Sequence, residues 1–335
     1  MSRLVRIVVT GSSGFIGSRL VARVLSRGDD VVAVDRRPAP PAPLAAAARD
    51  GAGALATVRA DLADPTDPWT ATVLRLEAAA ADAVVHCAAL SGVRAAPGTS
   101  HADLEAARAR DILASAETVL AATPLATPLV VLSSSAVYGG CLDATGTARP
   151  SRETDPVRPV GRYAAWKVAV EEACRARTAA GGTVTVARPF TVLGEGQRPD
   201  MAVAAWLDAA RTGRALRVLG DLGRRRDVTD VDVVVDGVLA VLDRGATGVV
   251  NLGSGRPRTL AEIVDAVRRA VVDAGCAGGP LRLHVAPAAA EEVPASWAAT
   301  DRLRALGVDP ATDLDAVVRR QLAHTLAVEA TTLAA

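Results

Sequence analysis

The sequence predicts an α/β protein built on a Rossmann-type doubly wound parallel sheet, with a smaller α/β domain interleaved into it. Three observations carry this. The first 135 residues alternate short β-branched runs with Ala-, Arg- and Leu-rich stretches, the pattern of a parallel sheet covered on both faces. A glycine-rich turn stands between the first such run and the first helical stretch. At 335 residues the chain exceeds one typical domain, and half of it is hydrophobic.

Strands are predicted at Val5 to Thr10, Asp30 to Asp35, Ala56 to Ala60, Ala83 to Ala88 and Leu129 to Ser133. Between the first two, a helix of about ten residues from Phe15 is closed by Gly28 as a C-terminal stop, completing one βαβ unit. Pro38 to Pro43, PAPPAP, reads as a stiff exposed loop. Further strand-like runs occur at Val184 to Ala187 and Val249 to Leu252, and no internal repeat is visible. With only four Trp, two Tyr and two Phe, the core must be built from Ala, Val and Leu.

Thirty-eight basic against thirty-seven acidic residues argue against a partner bound through a polyanionic surface, nucleic acid included. Cys87, Cys141, Cys174 and Cys276 form no CxxC pair and read as reduced thiols of a cytoplasmic protein. His86, His101, His284 and His324 show no ligand spacing, so no metal site is expected. The N-terminal apolar run is too short for a signal peptide, and no stretch reaches the roughly 20 residues that span a bilayer.

Chemistry concentrates in four segments. Thr10-Gly11-Ser12-Ser13-Gly14-Phe15-Ile16-Gly17 follows a strand and opens a helix. There Gly11 permits the tight turn, Gly14 admits backbone to a pyrophosphate, and Gly17 lets helix pack on strand. Asp35 ends the second strand eighteen residues after Gly17, where a carboxylate accepts the hydroxyls of an adenosine ribose and favours NAD. Arg36 and Arg37 follow at once and could instead hold a 2′-phosphate, which keeps NADP open, although they read equally as a solvated turn. Asp61 and Leu62, after the third strand, suit an adenine pocket, although Asp61 alone reads equally as a helix cap.

In Tyr163-Ala164-Ala165-Trp166-Lys167 the phenol and the ammonium lie four residues apart on one helical face. A cation at that range lowers a tyrosine pKa of about 10 toward working pH and makes the phenol a usable general base. Ser133-Ser134-Ser135 follows the fifth strand, at the carboxyl edge where such sheets bind ligands.

With these segments in order, the sequence resembles the extended short-chain dehydrogenase/reductases, in particular the NAD-dependent nucleotide-sugar epimerase/dehydratase family. The resemblance covers nearly the whole chain and extends through His86-Cys87-Ala88-Ala89-Leu90-Ser91-Gly92-Val93-Arg94, Arg188-Pro189-Phe190-Thr191 to Met201, Arg226 to Asp232, and Val250 to Gly255. The GVR and GQRPDM stretches look most like bacterial 4-epimerases of UDP-sugars, those of UDP-glucuronate included. The resemblance implies that Tyr163 is the base, Lys167 its electrostatic partner and nicotinamide-ribose ligand, and Ser134 the hydroxyl on the reacting oxygen. It implies further cofactor contacts at Ala88 and Pro189. Ser135, Thr191, Arg94 and Arg198 would face the sugar, and Arg226 would grip the nucleotide diphosphate. It also implies an NAD-binding domain over 1–186 and 229–256, a nucleotide-sugar domain over 187–228 and 257–330, and a homodimer through the Tyr163 helix and the helix near residues 103 to 121.

Several positions depart from the family pattern. A second diphosphate-binding arginine is replaced by Ala288-Ala289-Ala290-Glu291-Glu292. Asp111 stands for a helix asparagine, Gly161 for a proline before YxxxK, and Leu219 near a usual aromatic. An Asp-Glu pair that dehydratases use as acid and base is Ser135-Ala136 here, so elimination lacks its proton donor. Two catalytic readings remain: an epimerase that returns the hydride to the opposite face, and a ketoreductase drawing on NAD(P)H. A catalytically silent nucleotide sensor on the same fold is the reading from another class.

Overall fold

The structure is a computed structural model that describes residues 5–37, 53–64, 67–89, 101–143 and 145–333. The Pro38 to Pro43 loop and Arg94 lie outside the described residues. The chain forms two compact units, one of Met1–Val137, Arg162–Arg188 and Val235–Val250, the other of Tyr138–Gly161, Pro189–Val234 and Asn251–Ala335.

The first unit carries β1 (Arg6–Thr10), α1 (Phe15–Ser26), β2 (Asp30–Asp35), β3 (Leu55–Arg59), α2 (Pro68–Ala79), β4 (Ala83–His86), α3 (His101–Ala122), β5 (Leu129–Leu132) and α4 (Arg162–Ala179). Its sheet takes in β6 (Val184–Pro189) and β10 (Gly248–Leu252), in the order β10-β6-β5-β4-β1-β2-β3. The pairs β1/β2, β1/β4, β2/β3, β4/β5 and β5/β6 are all parallel. The strand order reverses between β1 and β4, the switch point at which doubly wound sheets bind ligands.

Val8, Val9, Val84 and Val85 are buried on central strands, as expected of a sheet covered on both sides. Helix α1 packs Leu20, Val21, Val24 and Leu25 inward, one face of a 3.6-residue period. It ends on Gly28 at φ +84°. Gly28 N donates to Leu25 O at 3.0 Å and Asp29 N to Val24 O at 3.3 Å, the paired bonds of a Schellman stop. The predicted terminator therefore works as the sequence indicates.

The second unit holds β7 (Thr191–Leu193), α5 (Ala202–Arg211), β8 (Leu216–Leu219), β9 (Arg225–Asp230), β11 (Pro257–Thr259), α7 (Leu260–Asp273), β12 (Leu283–Ala286), α8 (Asp301–Ala305) and α9 (Leu314–Leu333), with α6 (Val231–Arg244) running back to the first. Strand β9 lies between β7, parallel, and β11, antiparallel, while β8 and β12 form a separate parallel pair. Helix α7 opens on a capping box: Glu262 N donates to Thr259 Oγ1 at 3.1 Å, and Thr259 N donates back to Glu262 Oε2 at 2.7 Å. It buries Ile263, Val264 and Val267 against Leu216, Trp206 and Leu322.

At the root of β9, Asp227 is fully buried. Its carboxylate accepts from Ser254 N at 2.7 Å, Ser254 Oγ at 2.6 Å, Gly255 N at 3.0 Å and Ala298 N at 2.9 Å. Burial pushes its pKa above the ordinary aspartate value, and these bonds pull against that.

Candidate active site

The glycine-rich turn is shaped by steric exclusion. Gly11 sits at φ +67°, and a Cβ there would meet Ala88 N at 2.6 Å. A Cβ on Gly17 would collide with Gly11 O, so helix and turn pack backbone to backbone. Gly14 N donates to Gly11 O at 2.9 Å, closing the turn. Helix α1 starts at Phe15 and Ile16 with Gly14 as a cap that supplies no side chain, and it has no acidic residue in its first turn. Helices α2 and α7 are capped by Asp67 and Thr259. An uncapped, carboxylate-free start directly after the turn fits a pyrophosphate-sized anion.

Asp35 closes the same cradle: Ser13 N donates to its Oδ2 at 2.9 Å, and Arg37 N and Nε donate to Oδ1 at 3.0 and 3.2 Å. Arg36 Nη1 reaches Asp111 Oδ1 on α3 at 2.9 Å. Asp61 Oδ1 accepts from Ala63 N at 3.0 Å in a local turn, and Leu62 belongs to the apolar cluster on which Ala88, Tyr163 and Trp166 pack.

Tyr163 and Lys167 occupy successive turns of α4. Lys167 is buried and its Nζ donates to Leu132 O at 2.9 Å, two residues before Ser134. Burial holds its ammonium down to about 8, with Cys87, Glu171 and Asp111 pulling it back up. Ser134 is half-buried at the head of a short 3-10 turn, where Ala136 N donates to its Oγ at 3.2 Å, and Ser135 begins that turn. Among the described residues, β5, this turn and α4 thus bring Ser134, Ser135, Tyr163 and Lys167 into one unit.

Sequence reasoning missed the brace beneath them. Glu171 is buried one turn beyond Lys167 and accepts Ser133 Oγ at 2.6 Å; Arg188 clasps it through Nε at 2.9 Å and Nη2 at 2.6 Å. The spacing Tyr163, Lys167, Glu171 is the signal that would have found it, because three residues at four-residue intervals share one helical face. His86 was also missed as a structural group. Its Nδ1 lies 2.8 Å from Thr10 Oγ1, and burial, then Lys167, push its pKa down to about 3. Burial likewise pushes the Cys87 thiol up to about 12.

In the second unit, Pro189 ends β6 and Thr191 starts β7, in register with Val228. Arg198 forms a two-pronged pair with Asp200, Nε to Oδ1 at 3.0 Å and Nη2 to Oδ2 at 2.7 Å. Arg226 Nη2 donates to Glu292 Oε2 at 2.7 Å, and Arg224 Nη1 donates to the backbone oxygens of Glu292 and Val293. The acidic segment that replaces the expected second arginine is therefore bonded to the first. Gly161 lies at φ +83°, a conformation closed to proline, and a Cβ there would meet Glu291 Cδ at 2.5 Å.

The chain is similar to known proteins over most of its length. The model of the NAD dependent epimerase/dehydratase family matches residues 7–253. A dTDP-6-deoxy-L-talose 4-dehydrogenase (NAD(P)(+)) of Kitasatospora kifunensis is 33% identical over 78% of this chain and 77% of its own length. A probable UDP-glucuronate 4-epimerase of Rhizobium meliloti (strain 1021) is 28% identical over 94% of this chain and 95% of its own. The solved structure of MoeE5 in complex with UDP-glucuronic acid and NAD superposes with a TM-score of 0.77 at 29% identity, covering 96% of this chain and 99% of MoeE5.

Proposed function

The chain belongs to the NAD dependent epimerase/dehydratase family, and we propose that it is an NAD-dependent 4-epimerase of a nucleotide sugar, with a UDP-hexuronic acid as first substrate and a UDP-hexose as second. The observation that carries this reading is the Ser134, Tyr163 and Lys167 set, with Lys167 Nζ fixed on Leu132 O and no carboxylic group at Ser135 and Ala136. The chemistry NAD supplies when bound is reversible hydride transfer at the sugar carbon. Gly11, Gly14, Phe15, Ile16 and Gly17 would hold its pyrophosphate, Asp35 its adenosine ribose, Asp61, Leu62 and Ala88 its adenine side, and Lys167 and Pro189 its other end.

Tyr163 Oη takes the proton of the 4-hydroxyl and returns it, while Ser134 Oγ hydrogen-bonds the same oxygen. Lys167, cationic below about pH 8, stabilises the phenolate that the transfer requires. With no acid at Ser135 or Ala136 to protonate a departing hydroxyl, a sugar oxidised at C4 would not be diverted to elimination, which leaves reversal on either face, and hence 4-epimers, as the outcome. Ser135 and Thr191 would face the sugar. Arg198 suits a C6 carboxylate, which competes with Asp200 anion for anion, and Arg226 suits the diphosphate, which competes in the same way with Glu292.

The homodimer and the cytoplasmic location belong to this reading. Among the described residues no helix is long and apolar enough to cross a membrane, and sedimentation of the purified chain checks the dimer. A second reading, 4-ketoreduction of a deoxysugar nucleotide, is favoured by the likeness to the Kitasatospora 4-dehydrogenase.

One experiment separates the two. The protein is incubated with UDP-glucuronate, UDP-glucose and a 4-keto-deoxysugar nucleotide, with and without NAD(P)H, and both sugar identity and reduced-cofactor absorbance are followed. Interconversion of 4-epimers without net cofactor consumption is expected. Stoichiometric consumption with the 4-keto sugar and no epimer formation would overturn the epimerase.

A further inference from the structure

The loop between β7 and α5 carries Arg198, and its shape is set from a distant part of the chain. Gly194 and Gly196 lie at φ +142° and +85°, backbone that favours glycine. Two buried glutamines then fasten the loop: Gln197 within it and Gln321 on α9, 124 residues further along. Gln321 Nε2 donates to Gln197 Oε1 at 2.7 Å, and Gln321 Oε1 accepts from Gly194 N at 3.3 Å. Gln197 Nε2 donates to Val192 O at 2.8 Å. Its Oε1 also accepts from Ala204 N at 3.2 Å, in the first turn of α5, whose own cap Met201 supplies no side-chain bond. Beside Gln321, Arg320 holds Glu195 of the same loop, Nε to Oε1 at 3.1 Å.

Only one orientation of each amide satisfies this chain of bonds. Gly194 N and Ala204 N can only donate and Val192 O can only accept, so Gln321 must turn its NH2 toward the Gln197 carbonyl. Rotating either buried amide would strand a donor or an acceptor away from water, which keeps the network rigid. Arg198 is the residue next to Gln197, and Met201 N closes the following turn on Arg198 O at 3.0 Å. The Arg198 guanidinium therefore springs from backbone held on both sides.

We propose that Gln321 is a positioning residue for substrate: through Gln197 it holds this loop so that Arg198 meets a C6 carboxylate, and it thereby sets a preference for a hexuronic acid over a neutral hexose. The proposal rests on the epimerase reading above and its assignment of Arg198. A displaced guanidinium loses a charge-assisted bond to the carboxylate but nothing to a neutral C6 hydroxymethyl group of comparable strength. Proton and hydride transfer use Ser134, Tyr163 and Lys167, none of which belongs to the glutamine network. The discriminating change is Gln321→Glu, equal in size, in which an acceptor replaces the donor. Its carboxylate still receives Gly194 N but faces Gln197 Oε1, acceptor against acceptor. Turning the Gln197 amide over would only move the mismatch to Val192 O and Ala204 N.

The test measures KM and kcat of the full chain with NAD, for UDP-glucuronate and for UDP-glucose. The proteins are the wild type, Gln321→Glu, Arg198→Ala, the double variant and Val318→Ala, the last removing apolar atoms from the same helix without touching the loop's polar bonds. Gln321→Glu is expected to raise KM for UDP-glucuronate about fivefold to twentyfold, with kcat and the KM for UDP-glucose held within about twofold. Arg198→Ala should raise KM for UDP-glucuronate at least as much, and the double variant no further than Arg198→Ala alone, because one residue acts through the other. Val318→Ala should move neither KM by more than about twofold.

Equal rises for the two substrates, additive effects in the double variant, or the same rise in Val318→Ala would make Gln321 part of the scaffold and overturn the proposal. So does an unchanged KM. Should Gln321→Glu fail to fold, as judged by circular dichroism, Gln321→Met, of similar size and unable to donate, is held to the same expectations. A wild-type chain that epimerises neither sugar, or UDP-glucose alone, overturns the hexuronate reading and this inference together. One that epimerises UDP-glucuronate while Gln321→Glu behaves as wild type overturns this inference alone.

Discussion

The two units treat the titratable side chains nearest their proposed chemistry differently. In the first, the groups nearest the proposed chemistry are buried and braced: Lys167 on Leu132 O, Glu171 between Ser133 and Arg188, His86 against Thr10. In the second, the arginines assigned to substrate are half-buried and rest on nearby carboxylates, Arg198 on Asp200 and Arg226 on Glu292. Tyr163 and Ser134 are themselves half-buried, but the groups beneath them must be set before substrate arrives, so the geometry of that support is fixed by burial. A cation that grips an anion is better kept on an exchangeable partner, since a buried one without its ligand would be costly.

If that contrast is right, the first unit should give the large effects. Tyr163→Phe should lower turnover by about two to four orders of magnitude while circular dichroism stays unchanged; near-normal turnover would assign the base elsewhere. Glu171→Gln strips a buried pair of its charge and should cost about 3 to 5 kcal/mol in denaturant unfolding. A loss under about 1 kcal/mol would mean the brace is no stronger than a surface pair.

Protons give the next test, and its two arms run in opposite directions. Lys167 has its folded pKa depressed to about 8 from an ordinary 10.5, so between these values the unfolded chain binds more protons than the folded one. Its contribution to stability therefore rises with pH across that window, while turnover falls as the cation is lost above about 8. His86, held near 3 against an ordinary 6.5, keeps the fold stable above 6.5 and weakens it as pH falls toward 3. His86→Gln should flatten that acid limb in a series of thermal melts.

The smallest effects are expected in the second unit. Glu292→Gln should tighten UDP binding by about twofold to fivefold, the size of a partly exposed ion pair. An unchanged affinity, measured by titration calorimetry, would separate Arg226 from the diphosphate.

Much of the sheet was legible because its signals are local. β-branched runs, a turn that only glycine can occupy at Gly11, and a stop at Gly28 each state their structure within a few residues. The Tyr163 and Lys167 pair was legible for the same reason, being one helical turn apart. What escaped were partnerships set by tertiary packing: Arg36 with Asp111, Arg226 with Glu292, Ser133 with Glu171. Nothing within reach along the chain specifies those pairs, so sequence names the charges but not their companions.

Asp227 carries a consequence for synthesis on the ribosome. Its carboxylate is satisfied by donors that lie 27, 28 and 71 residues further along the chain. Until the segment around Ala298 has emerged, a folded second unit would enclose a carboxylate short of a partner, a penalty of a few kcal/mol. This unit is thus expected to close late, whereas β1, α1 and β2 can assemble as soon as they leave the exit tunnel. Limited proteolysis of arrested nascent chains would show it as protection that appears only when the arrest point lies well past residue 298.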